Sequence, residues 1–168
     1  MTVSNYWQGK RVLVTGSSGF IGSNLVEVLK EKECAFSCPA RSEYDLLEQD
    51  QVRRMFSDIR PDIVFHLAGL VGGIWANKQR PGEFGYNNLL MNTMVFHEAW
   101  SAEVDKFVTC IGGCSYPHDA SSPIGEDQLW NGYPQPESAS YSAGKRMSAV
   151  LSASYREQYD FNSIVLLP

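Results

Sequence analysis

No stretch of this 168-residue chain holds the roughly twenty consecutive apolar residues that a membrane-spanning helix needs. No membrane partner is therefore expected. Basic runs are missing too: 14 Lys and Arg stand against 19 Asp and Glu, and the net charge of -5 argues against nucleic acid as a partner. Met1 to Lys10 lacks a basic segment followed by an apolar one, so no export leader is read there and the expected compartment is the cytoplasm. Cysteine is sparse, at positions 34, 38, 110 and 114. The two C-x-x-x-C pairs depart from the tighter spacing of common structural zinc sites, so they are read as reduced, mostly buried thiols and no metal is expected. Internal repeats and low-complexity tracts are also absent.

What is present is an ordinary globular composition, 43% hydrophobic and 20% charged, in a length that suits one domain with a real core. The most informative segment runs from Arg11 to Gly22, R-V-L-V-T-G-S-S-G-F-I-G. A short apolar strand leads into a G-x-x-G-x-x-G turn, and Asn24 to Lys32 continues as a helix. Gly16 permits the tight exit from the strand, Gly19 lets a pyrophosphate approach backbone N–H groups, and Gly22 lets the helix pack closely on the strand. The phosphates are expected at the helix N-terminus, where unpaired N–H groups favour negative charge.

Further along, apolar runs alternate with segments of helical period. A second strand over 35–38 stops at Pro39. Val52, Met55, Phe56 and Ile59 mark an amphipathic helix over 48–59. The continuous apolar run 63–67 suits a parallel strand covered on both faces. A Gly-rich loop from Ala68 to Gly73, a helix over 84–102 and a strand over 106–111 follow. Residues 112–140, rich in Gly, Pro, Ser and Asp, read as a working loop. A helix over 142–159 and a strand over 163–167 complete the series. The predicted fold is α/β, a doubly wound parallel Rossmann sheet in three α/β/α layers, occupying residues 1–168. Because ligands bind beyond the carboxyl ends of such strands, a chain stopping at Pro168 is expected to be truncated where a binding loop begins.

A free ribose 2′-hydroxyl is usually recognised by an acidic side chain about twenty residues past the glycines, and a 2′-phosphate by an arginine nearby. After the second strand the chain reads Pro39-Ala40-Arg41-Ser42, with no carboxylate at the strand end. Arg41 therefore favours NADP, with NAD as the alternative; the competing view makes Arg41 a solvated loop cation.

Tyr141-Ser142-Ala143-Gly144-Lys145 places a phenol and an ammonium four residues apart on one helical face. A tyrosine near pKa 10 is a poor proton source at neutral pH unless a neighbouring cation stabilises its phenolate. Together with the glycine motif this pair resembles the extended short-chain dehydrogenase/reductases, the family of nucleotide-sugar epimerases and dehydratases. Val71-Gly72-Gly73-Ile74, Ala76-Asn77, Tyr86 to Asn88, Cys114-Ser115-Tyr116-Pro117 and Y-S-A-G-K-R-M from Tyr141 to Met147 resemble the branch that epimerises and reduces GDP-4-keto-6-deoxymannose. The resemblance covers nearly all 168 residues but only the N-terminal half of such an enzyme.

The resemblance implies an NADPH-dependent epimerase/reductase and a nucleotide-sugar substrate, with another sugar-nucleotide epimerase or dehydratase, or a non-catalytic NADP-binding remnant, as alternatives. Carried onto this sequence, its catalytic residues are Tyr141, Lys145 and Cys114. Tyr141 protonates the forming oxyanion, and Lys145 holds the cofactor ribose and lowers the tyrosine pKa. Cys114 exchanges protons at sugar carbons 3 and 5; read from the residues alone, it is a small apolar filler at a strand end. The implied cofactor contacts are Gly16, Ser18, Gly19, Phe20, Ile21, Gly22, Arg41, Leu67, Ala68, Tyr141 and Lys145. A homodimer through the helices at 84–102 and 142–159 is implied as well, with Leu89, Met94 and Phe96 as available apolar groups.

Two departures stand out. The family places Ser or Thr four residues before Tyr116 to hydrogen-bond the substrate oxygen, and here that position is Gly112. The family also draws a catalytic histidine, nucleotide contacts and a substrate domain from sequence past the point matching Pro168. The three histidines present do not supply that acid: His66 reads as a core residue, His97 as a helix or subunit contact, and His118 as a solvated loop residue. Asn88 and Asn92 either cap loops or brace the sheet edge near the site. Trp75, Trp100 and Trp130 are expected to pack against loops or a partner.

Overall fold

The computed structural model describes residues 6–168. Five parallel strands lie in the order β2-β1-β3-β4-β5: β1 Arg11–Thr15, β2 Ala35–Ser37, β3 Ile63–His66, β4 Lys106–Cys110 and β5 Ser163–Leu166. The register sets Leu13 beside Val64 and Val64 beside Phe107. Side chains alternate across a strand, so Leu13 points to one face while Val12 and Val14 point to the other.

Right-handed crossovers then decide which helix covers which face. The connection from β1 to β2 runs one way along the sheet, and every later connection runs the other way. Hence α1 (Phe20–Lys30) covers one face alone, packing Leu29 on Val12, Val14 and Ile63. Helices α2 (Gln49–Ile59), α4 (Pro81–Ser101) and α5 (Ala139–Tyr159) gather on the opposite face. There Val52, Met55, Phe56, Val95, Phe96, Val104 and Phe161 close over Leu13, Val64 and Phe107. The three layers are thus unequal, and Ile164 and Leu166 of β5 stay part-exposed.

The long helices α4 and α5 lie against one another. Phe96 meets Tyr155 edge-on at 5.2 Å, Trp100 packs on Tyr159 at 4.3 Å, and His97 Nδ1 hydrogen-bonds the Tyr155 hydroxyl at 2.8 Å. His97 is therefore a helix-to-helix contact. Phe96 lies in the core, which removes it from any subunit surface; Met94 packs against that core, and only Leu89 of the three apolar candidates is exposed.

The structure corrects several boundaries. Helix α1 begins at Phe20, immediately after the glycine turn, four residues before the apolar pattern announces it. A short helix, α3 (Ile74–Gln79), occupies the interval between the expected Ala68–Gly73 loop and the expected 84–102 helix, and Asn77 Nδ2 ties its start to Gly72 O and Gly73 O. Helix α4 opens with Pro81, which suits a first turn because the missing N–H has no intrahelical partner there. Gly82 and Gly85 obscured that start in the sequence. The 112–140 segment is shaped by three 3-10 turns, Gly113–Ser115, Glu126–Trp130 and Pro136–Ser138. Trp75 is exposed, whereas Trp130 lies under the Arg146 guanidinium at 5.5 Å. Among the described residues, no helix is long and apolar enough to cross a membrane.

Candidate active site

Strand order reverses between β1 and β3, and a cleft of about 960 Å³ opens there beyond their carboxyl ends. The glycine turn forms one wall. Gly16 has φ +70°, and a Cβ there would stand 2.6 Å from Ala68 N. A Cβ on Gly22 would overlap Gly16 O and lie 2.7 Å from Ser17 Cα. Both contacts are with backbone, which cannot give way, so only glycine lets turn, helix and β3 loop close together. Gly19 N–H donates to Gly16 O at 3.0 Å, closing the turn. Helix α1 has neither a side-chain cap nor an acidic residue in its first turn. Its leading N–H groups are left for an anion, and this cradle fits a dinucleotide pyrophosphate.

Every expected cofactor contact lines this one cleft: Gly16, Ser18, Gly19, Phe20, Ile21, Gly22, Arg41, Leu67, Ala68, Tyr141 and Lys145. Cys114 is not part of the lining. It sits one step behind, in the 3-10 turn after β4, where the buried Ser142 Oγ lies 3.6 Å from its Sγ.

Arg41 stands at the rim, but its guanidinium is already engaged by Asp45 at 3.1 Å, and Asp45 also lines the cleft. Sequence reasoning passed over that carboxylate because it sought one at the strand end. The cue was an acidic residue 23 positions past Gly22, one helical turn beyond Arg41. Cys110, which the sequence presents as a reduced, mostly buried thiol, is half-buried and lines the cleft beside Tyr141 and Lys145. Cys38 lines it too; burial pushes its thiol up from 9.0, against a hydrogen bond with Ser17 that acts the other way.

The tyrosine–lysine pair departs from expectation in one respect. Burial pushes the Tyr141 phenol above 10.0, and negative charge on Cys114 and Cys110 acts in the same sense. Burial also lowers Lys145 from 10.5, while Cys110 opposes that shift. Lys145 Nζ donates to Ala68 O at 3.4 Å. The expected lowering of the tyrosine by the lysine is thus replaced by a rise, since desolvation of the phenolate dominates.

Behind the cleft a buried chain of hydrogen bonds braces the strand ends. Ala68 N–H donates to Thr15 Oγ1 (3.3 Å), which pairs with His66 Nδ1 (2.8 Å). His66 Nε2 pairs with Asn92 Oδ1 (3.0 Å), and Asn92 Nδ2 donates to Gly144 O (3.3 Å). Asn88 holds the β3 loop through Leu70 N–H and Leu70 O. The two asparagines therefore brace the site, tying α4 to α5 and to the loop after β3. His118, by contrast, is exposed in the loop, where its Nδ1 lies 3.3 Å from Tyr133 O and 4.0 Å from Asp119 Oδ1.

Burial, with the Lys145 charge in support, lowers His66 from 6.5 to about 3, so the folded protein holds it neutral. Between those values the unfolded chain binds the extra proton, so stability falls as pH drops below 6.5. The expected slope is about 1.4 kcal/mol per pH unit for one proton. Urea unfolding between about pH 7.5 and 5 measures it, above the range where ordinary carboxylates titrate. A His66→Gln variant, which keeps a donor and an acceptor, should lose that slope.

A parallel sheet with a glycine cradle and a Tyr-x-x-x-Lys pair opening into one cleft defines a dinucleotide-binding α/β domain. Comparison with known proteins narrows the class. Residues 12–168 match the NAD dependent epimerase/dehydratase family, and the chain belongs to it. The GDP-L-fucose synthase of Sinorhizobium fredii is 33% identical over 160 residues, which cover 95% of this chain and 51% of that protein. The GDP-L-fucose synthase of Dictyostelium discoideum is 34% identical over 161 residues, 93% of this chain and 50% of that protein. A GDP-mannoheptose C4 reductase from Campylobacter jejuni, solved with NADP bound, superposes with a TM-score of 0.90 at 32% identity, over 95% of this chain and 51% of that one. The chain spans about half the length of the relatives it matches.

Proposed function

We propose that this chain carries the dinucleotide-binding and catalytic machinery of an NADPH-dependent nucleotide-sugar epimerase/reductase, acting on GDP-4-keto-6-deoxymannose or a close analogue. One observation carries the proposal: the glycine cradle on β1–α1 and the Tyr141–Lys145 face of α5 open into the same cleft. The NADP-bound Campylobacter reductase and the two GDP-L-fucose synthases support cofactor and substrate class.

NADPH, when bound, supplies a hydride to the 4-keto carbon. Tyr141 donates the matching proton to the carbonyl oxygen, and its raised pKa keeps it protonated at neutral pH. Lys145, in this reading, holds the cofactor ribose; its burial in the cleft wall beside Ala68 supports that role. Cys114, as thiolate, accepts a proton from a carbon flanking the ketone, leaving an enolate and a thiol. An acid on the opposite face returns a proton to that carbon, and the family takes this acid from sequence beyond the matched region. Exposed Leu89, Met147 and Val150 on α4 and α5 support a homodimer through these helices.

Mixing the protein with NADPH and GDP-4-keto-6-deoxymannose should consume the nicotinamide absorbance. Binding of NADPH without turnover on any 4-keto sugar nucleotide would instead indicate a non-catalytic remnant, a reading that Gly112 favours. Arg41→Ala should weaken NADPH about tenfold or more, the loss of a charge-assisted pair, and leave NADH nearly unchanged. Equal weakening of both cofactors by calorimetry counts against a 2′-phosphate role.

A further inference from the structure

Helix α5 presents two i,i+4 pairs offset by one residue. Tyr141 and Lys145 face the cleft. Ser142 and Arg146 face the turn that bears Cys114, and both are at least nine-tenths buried. Ser142 Oγ donates to Cys114 O at 3.0 Å and lies 3.6 Å from Cys114 Sγ. Arg146 Nε donates to the next carbonyl, Ser115 O, at 2.5 Å, and its Nη1 donates to Gly132 O at 3.0 Å. Two consecutive carbonyls of the thiol-bearing turn are thus fastened to one helix, which also sets the position of the catalytic phenol.

Burying a guanidinium is costly, and among the described residues no carboxylate pairs with Arg146 to offset the desolvation that lowers its pKa. What the side chain gains instead is two carbonyl bonds that close the loop from Ser115 to Gly132, with its plane over Trp130. Ser142 has a single hydroxyl proton with two candidate acceptors, and so two alternative uses. While Cys114 is a thiol, the hydroxyl bonds Cys114 O and its oxygen can accept from S–H. Once the sulfur is charged, rotation of the hydroxyl turns the same proton toward Sγ.

We propose that Ser142 and Arg146 are positioning residues for Cys114: Arg146 anchors its turn to α5, and the Ser142 hydroxyl switches between the Cys114 carbonyl and sulfur as the sulfur loses and regains its proton. The covalent O–H bond of Ser142 stays intact in this cycle; only its hydrogen-bond acceptor changes. The inference rests on Cys114 being the proton-exchanging thiol, but its test does not need substrate.

Alkylation of Cys114 by iodoacetamide, followed peptide by peptide by mass spectrometry across pH, reads the thiolate directly. In Ser142→Ala the half-maximal point should move to higher pH, and the rate at neutral pH should fall about three- to tenfold, the scale of one lost hydrogen bond. Ser152→Ala removes a comparable buried hydroxyl pair, with Ser163 at 2.8 Å, elsewhere on α5 and should leave the profile unmoved. In Arg146→Lys, amide exchange of the Gly113–Tyr116 segment should quicken. A wild-type Cys114 profile in Ser142→Ala, or an equal shift in Ser152→Ala, overturns the switch. Unchanged amide exchange in Arg146→Lys overturns the anchor. Deuterium incorporation beside the substrate ketone that persists in Cys114→Ser overturns the thiol's assigned role instead, so the two failures are told apart.

Discussion

Tyr141→Phe should lower the rate of ketone reduction by roughly 10²–10⁴-fold while leaving NADPH affinity within a few-fold of wild type. The phenyl ring keeps the packing at the cleft and removes only the transferable proton. The pH dependence carries a sign that follows from burial. Because desolvation moves the Tyr141 phenol upward from 10.0, it stays protonated through neutral pH. The wild-type reduction rate should therefore show no tyrosine limb near neutrality and should decline only on the strongly alkaline side. Had Lys145 stabilised the phenolate, as the resemblance implied, the decline would start below pH 10. Stopped-flow rates of NADPH consumption across pH decide between these outcomes.

The second large effect is a gain. Gly112→Ser should speed reduction by up to about 10²-fold, since one preorganised donor to a developing oxyanion is typically worth 10²–10³ in kcat. The backbone permits the change: Gly112 has φ -82° and ψ 160°, extended values that any residue adopts. Space permits it as well, because the nearest atom to an added Cβ is Cys114 Sγ at 3.7 Å. The residue borders the cleft beside Tyr141. A serine that folds normally and leaves turnover unchanged would show that another donor already serves the substrate oxygen.

The parts of the fold that were legible in advance are those encoded by local rules. The continuous apolar runs in Arg11–Thr15 and Ile63–His66 gave the strands, and the 3.6-residue spacing of Val52, Met55 and Phe56 gave α2. Helix α3 and the first turns of α1 and α4 were missed for one reason. Their first residues, such as Phe20 and Pro81, are exposed or follow glycine, so no apolar stripe marks the entry. Of the site, the glycine cradle and the Tyr141–Lys145 pair were legible because each lies within a few residues of chain.

The sequence alone thus determined the parallel α/β plan, the glycine cradle and the phenol–ammonium pair, since short-range periodicity acts within single elements and each of the two motifs lies within a few residues of chain. Tertiary structure alone decided the engagement of Arg41 by Asp45, the entry of Cys110 into the cleft, the burial that raises Tyr141, and the fastening of Cys114 to Ser142 and Arg146. Except for the Arg41–Asp45 pair, those features join atoms far apart in sequence or arise from desolvation, and neither distance across the fold nor loss of water is written in the order of residues.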